Sequence, residues 1–201
     1  MARWIAALAV VLLLAACTGG VSSNGPIAEY EDGAGTGWSR VVEVGERFAD
    51  GDPILLVPDG AEVTLIDVIP QIEGDGLAFL GVKMAGPQRP MLAVQYVTGW
   101  PPVDPDVPEF LPAIGEQLRG GEPAGGRDFD PGYELFFGFE VVGEGRTTIQ
   151  GYRVIYEHEG RRYSVVLPHT IAICADPPGM ASDPGPLDEG TCAFEETVRR
   201  D

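Results

Sequence analysis

Two hundred and one residues, 44% of them apolar and 22% charged, suffice for one domain with a buried core and exclude wholesale disorder. The 28 glycines and 18 prolines call for abundant turns. Thirteen basic against 31 acidic residues give a net charge of −18, and no basic run exceeds the pairs Arg161-Arg162 and Arg199-Arg200, which argues against nucleic acid as a partner and against a membrane bound through a polybasic patch.

The chain opens with Met1-Ala2-Arg3, one positive charge, followed by 13 apolar residues from Trp4 to Ala16. That is the layout of a secretory signal peptide, and as a helix the run reaches only about 20 Å, short of a permanent span. It ends on Leu14-Ala15-Ala16-Cys17, which resembles the lipobox of bacterial lipoproteins. The resemblance covers residues 1–17. It implies cleavage after residue 16, diacylglyceryl transfer to the thiol of Cys17, and a protein held on the extracytoplasmic face of the cell membrane by acyl chains. Two chains give stable anchoring because each buried methylene contributes about 0.8 kcal/mol. The alternative is ordinary signal cleavage that leaves Cys17 a plain thiol.

Residues 17–37 carry Gly, Ser and Asn with scattered acids and neither the strand nor the helix period. They are expected to form a flexible tether spanning on the order of 25 Å, holding the acidic body clear of the lipid.

From Arg40 to Cys174 short apolar or alternating runs are closed by Gly, Pro or Asp, the spacing of strands. Strands are expected at 41–48, 54–57, 62–69, 77–84, 92–97, 134–142, 147–156 and 162–173, the last broken at Pro168. In 134–142 the residues Leu135, Phe137, Phe139 and Val141 share a face opposite Glu134 and Glu140. Tyr152, Val154 and Tyr156 alternate, as do Tyr163, Val165 and Leu167 beyond His158-Glu159-Gly160, which predicts a hairpin with positive φ at Gly160. The tyrosines are expected to pack across the strands with their hydroxyls at the rim. Between residues 100 and 132 seven prolines interrupt the pattern; Phe110, Ile114 and Leu118, at intervals of four, could form a helical turn or two. A loop of this length is the first place to seek a binding surface.

No amphipathic helices alternate with the strands. The expected fold is therefore all-β, an antiparallel sandwich of seven or eight strands over residues 38–174. Residues 152–174 resemble the last part of the immunoglobulin-like domains of lipoproteins from high-GC Gram-positive bacteria, which implies an immunoglobulin-like sandwich and no particular activity.

With Cys17 lipidated, Cys174 and Cys192 are an even pair in an oxidising compartment, and a disulfide is expected to tie back the Pro/Gly-rich segment 175–201. Its loop of about 18 residues would contribute about 3 kcal/mol. A redox pair or thiolate metal site would want a Cys-x-x-Cys spacing or a nearby His.

The chemical motifs are mostly missing. There is no Gly-x-Ser-x-Gly, His-Glu-x-x-His, Gly-x-x-x-x-Gly-Lys or Gly-x-Gly-x-x-Gly after a strand, and no cofactor is expected. His158, between two glutamates, reads as a solvated turn. His169, after Pro168 in an apolar strand, reads as a satisfied structural residue; the copper alternative gathers it with Met84, Met91 or Met180. Asp128 and Asp130 could offer oxygens to calcium but lack the twelve-residue loop pattern. Three functions follow: an exported, membrane-anchored, non-enzymatic module for an extracytoplasmic protein or small ligand; an envelope hydrolase with its site in the 100–132 loop; or a metal-binding module.

Overall fold

Alternation and turn chemistry build two sheets. The computed structural model describes residues 20–28, 36–51, 53–85, 94–105, 107, 109–121 and 132–176. Among them the strands are β1 Thr36–Glu43, β2 Arg47–Gly51, β3 Ile54–Leu55, β4 Glu62–Glu73, β5 Leu77–Ala85, β6 Val94–Thr98, β7 Phe110–Pro112, β8 Gln117–Arg119, β9 Tyr133–Val141, β10 Gly145–His158 and β11 Arg161–Asp176. One sheet has the order β1-β11-β10-β4-β8, the other β6-β2-β9-β5-β7, with β3 also on β9. The protein is an all-β, immunoglobulin-like sandwich of two facing sheets, with eleven strands among the described residues rather than seven or eight.

The hairpin β10–β11 forms as expected. His158 pairs with Arg161, and the two loop residues Glu159 and Gly160 have φ of 49° and 72°, the backbone of a type I′ turn. At Pro168 the strand continues instead of breaking. The ladder shifts register where Gly151 pairs with Pro168, so the absent proline N–H falls at an irregularity. Gly151 has φ 143°, and a Cβ there would stand 2.8 Å from the Leu167 carbonyl oxygen.

The stretch 41–48 is two strands, not one. Gly45, with φ 94°, turns the chain between them, and β1 joins one sheet while β2 joins the other. β1 runs parallel to β11, with Thr36 opposite His169. β4 is blunted at its outer edge: Pro70 has no N–H to offer, and the Val68 N–H donates to Asp67 Oδ1 at 2.8 Å, both of which discourage edge-to-edge pairing.

The core lies between the sheets. Phe48, Leu65, Leu135, Phe137, Phe139, Ile149, Tyr152, Val154, Tyr156 and Ile171 are fully buried there, each contributing about 1.5–3 kcal/mol of apolar burial. Leu135, Phe137, Phe139 and Val141 face this core as the alternation requires, yet the other face of β9 is covered too. Trp100 lies over Gly138, where it occupies the space a Cβ would need, and Phe110 meets Phe136 edge-on at 4.8 Å. Together with Ala49, Ala85, Val97 and Val107 they form a second, smaller core outside the sheet.

The first part of the 100–132 loop is therefore structural cladding rather than an open binding surface, and the helical reading of 110–118 does not hold. Phe110 is in β7, Ile114 in a turn and Leu118 buried in β8. Residues 122–131, with Asp128 and Asp130, lie outside the described residues. Gly138→Ala is expected to cost about 1–3 kcal/mol, because the added methyl must displace the Trp100 ring; a urea midpoint unchanged from the parent would show that Trp100 is not seated there.

The expected tether is not free throughout. Ser22 bridges β11 in parallel at Tyr163, Ile27 is 2% exposed, and β1 already begins at Thr36. Apolar burial and backbone hydrogen bonds hold residues 20–28 against the sandwich despite their polar composition.

Candidate functional site

The densest cluster of chemically capable side chains sits between the sheets. Asp50 ends the inward face of β2, where Phe48 and Asp50 alternate with the outward Ala49. Its Oδ1 accepts from Trp38 Nε1 at 3.1 Å and lies 3.1 Å from His169 Nε2, while Oδ2 accepts from the Tyr152 hydroxyl at 2.6 Å. The carboxylate projects from one sheet, and its partners come from β1, β10 and β11 of the other. Donors alone surround it, the set that an acceptor-only carboxylate requires. Facing an acceptor-only carboxylate, His169 can make this hydrogen bond only with the proton on Nε2.

Asp50 and Tyr152 are completely buried and His169 is 1% exposed. The Tyr152 ring stacks on Phe137 at 3.6 Å and 8°, and the His169 ring lies 6.3 Å from it at 21°. Burial, reinforced by the Asp50 charge and hydrogen bond, pushes the Tyr152 hydroxyl well above its ordinary range. A carboxylate, an imidazole and a phenol in contact resemble an acid/base relay, but all three are buried between the sheets. Their chemistry is cohesive. Three charge-assisted bonds across the interface, each worth about 1.5–3 kcal/mol, clasp the two sheets in one register.

Beside the clasp an aromatic cluster closes the edge between β1 and β6. Trp38, Phe48 and Tyr96 meet with centroids 5.4–6.1 Å apart, and the Arg40 guanidinium lies 3.9 Å above the Tyr96 ring. The Tyr96 hydroxyl donates to Glu46 Oε1. Burial and this carboxylate drive its ionisation upward, against the opposing pull of Arg40.

His169 is thus the satisfied structural residue the sequence suggests. His158 is not a solvated turn: it ends β10, half-buried, with Nδ1 at 2.8 Å from the Glu62 carbonyl oxygen. For the copper alternative, Met84 is a core residue, and Met91 and Met180 lie outside the described residues; among the described residues no three His, Cys, Asp or Glu side chains gather as a metal site. Tyr152 and Tyr156 also depart from expectation, since their hydroxyls are inside rather than at the rim. The Tyr156 hydroxyl accepts from the Ile27 N–H at 3.3 Å. Cys174 is fully buried on β11; Cys17 and Cys192 lie outside the described residues.

Sequence reasoning missed Asp50 because Asp50-Gly51-Asp52 reads as a turn. The signal available was parity: Asp50 stands two residues after Phe48, on the same face. No family model matches the chain, and no curated protein matches it in sequence.

Proposed function

We propose that the chain is an exported lipoprotein, anchored in the membrane by acyl groups on Cys17, whose sandwich serves as a non-enzymatic interaction module for a protein or small ligand at the extracytoplasmic face. The observation that carries this reading is the run Leu14-Ala15-Ala16-Cys17 at the end of an apolar stretch of export length. The clasp adds support: the group most like a catalytic constellation is sealed in the core and spent on cohesion.

A Cys174–Cys192 disulfide belongs to the same reading. Cys174 is fully buried on β11, and these apolar surroundings would protect such a bond from exchange. Such a bond would tie the C-terminal segment to the sheet.

Expression in a lipoprotein-processing host tests the anchor. The parent is expected in the detergent phase of a phase-separating extraction, with an N-terminal peptide that starts at Cys17 and carries the mass of its acyl chains. Cys17→Ser is expected to move the protein to the aqueous phase. A parent that retains Met1 and partitions into water overturns the reading.

A further inference from the structure

We infer that the sandwich is held end-on against the membrane, with the tip of the β10–β11 hairpin facing the phospholipid headgroups. This rests on lipidation at Cys17 and replaces the long flexible stand-off by a short, directed link.

The direction follows from hydrogen bonds. The Ser22 N–H donates to the Arg162 carbonyl at 3.2 Å and the Ser164 N–H donates to the Ser22 carbonyl at 2.9 Å, a parallel bridge. Parallel pairing means that the chain before Ser22 leaves beyond the start of β11, at the hairpin turn. Further along, Ile27 is buried, and Gly25 packs so closely on Tyr156 and Tyr163 that a Cβ would collide with both. The docking of 20–28 is therefore built into the core.

The length follows from counting. Four residues lie between Cys17 and Ser22, and the five steps they make reach at most about 18 Å fully extended. β10 has 14 residues, about 45 Å at 3.2–3.4 Å each. A link that leaves from one end and is shorter than half the body keeps the hairpin end beside the lipid, and the acidity of the chain as a whole, net −18, disfavours tipping the body flat onto an anionic leaflet.

Charge permits the approach. At this end Arg119 bridges Glu62 at 3.4 Å, Arg162 lies opposite Glu157, and Arg161 is two residues from Glu159. With Asp59 beside Gly121 these groups leave an excess of about one negative charge, a small part of the chain's net −18. Repulsion from an anionic leaflet fades within a Debye length of about 8–10 Å, so the acidic remainder of the body is largely screened from the surface. Val21, 49% exposed, sits at the exit and adds an apolar side chain to the contact.

The test uses the acylated full-length protein in phosphatidylcholine–phosphatidylglycerol vesicles. A fluorophore is attached either to Arg161→Cys at the hairpin tip or to Glu144→Cys in the exposed turn at the other end of β10. A nitroxide on the lipid headgroup is expected to quench the label at 161 severalfold more than that at 144. Inserting about fifteen Gly and Ser residues between Gly19 and Gly20, enough for a random coil of about 20 Å, is expected to erase most of that difference. Equal quenching at both positions in vesicle-bound parent overturns the orientation and leaves the lipoprotein reading standing. Failure of the parent to carry acyl chains or to bind vesicles overturns both.

Discussion

Asp50→Ala is expected to remove about 3–5 kcal/mol of folding stability, the cost of stripping a buried charged network of one member. Three donors, from Trp38, Tyr152 and His169, would face a dry void, and each unsatisfied buried polar group carries a desolvation penalty of about 1–3 kcal/mol. Because small domains are stable by only about 5–15 kcal/mol, the substitution takes a large share of the total. Asp50→Asn should cost less, since one acceptor oxygen survives while the amide NH2 is turned toward a donor. Tyr152→Phe keeps the stack on Phe137 and loses one charge-assisted bond, about 1.5–3 kcal/mol. Urea unfolding followed by circular dichroism reads all three, and an Asp50–Tyr152 double-mutant cycle isolates the pair. An Asp50→Ala protein within about 1 kcal/mol of the parent would mean that the clasp holds nothing together.

Alkaline pH should be nearly as damaging. Tyr96, Tyr152 and Tyr156 are all raised above the ordinary value of 10.0, in each case first by burial. The sign follows from proton linkage. Above pH 10 the unfolded chain gives up these phenolic protons while the folded one keeps them, so unfolding releases protons and stability falls with rising pH. The contribution is complete below about pH 10 and drains away as the pH climbs through the raised values. Absorbance at the phenolate band should therefore show Tyr96, Tyr152 and Tyr156 ionising only in step with the loss of the circular-dichroism signal. Smooth titration of all six tyrosines near pH 10, with the fold intact, would contradict the enclosure of the clasp. Glu46→Gln removes the charge beside Tyr96 and is expected to bring that hydroxyl part of the way down, leaving Tyr152 unaffected.

Much of the architecture is written locally. Strict alternation in 134–142 and 152–167 reports which side chains share a face, because successive side chains of a strand point to opposite sides whatever surrounds them. The hairpin at Glu159-Gly160 is legible for the same reason: two residues that both take positive φ suffice to specify the turn. His169, a polar residue spaced among inward apolar ones, announces that it needs a partner.

That partner was not legible. Asp50 and His169 are 119 residues apart, and only the stacking of one sheet on the other brings them within 3.1 Å. The same holds for the outer face of β9, where Phe136 and Gly138 read as solvent-facing until Trp100 folds over them, and for residues 20–28, whose composition says tether while their hydrogen bonds lie with Arg162 and Ser164. By itself the chain determined its class, most strand positions, the tight turn and the acidity, because each depends on composition or on residues a few positions apart. Tertiary structure alone decided which strands share a sheet, which carboxylate joins the two layers and where residues 20–28 dock on the sandwich. Those outcomes depend on pairings across more than a hundred residues, and their strength comes from removing water that no local pattern can exclude.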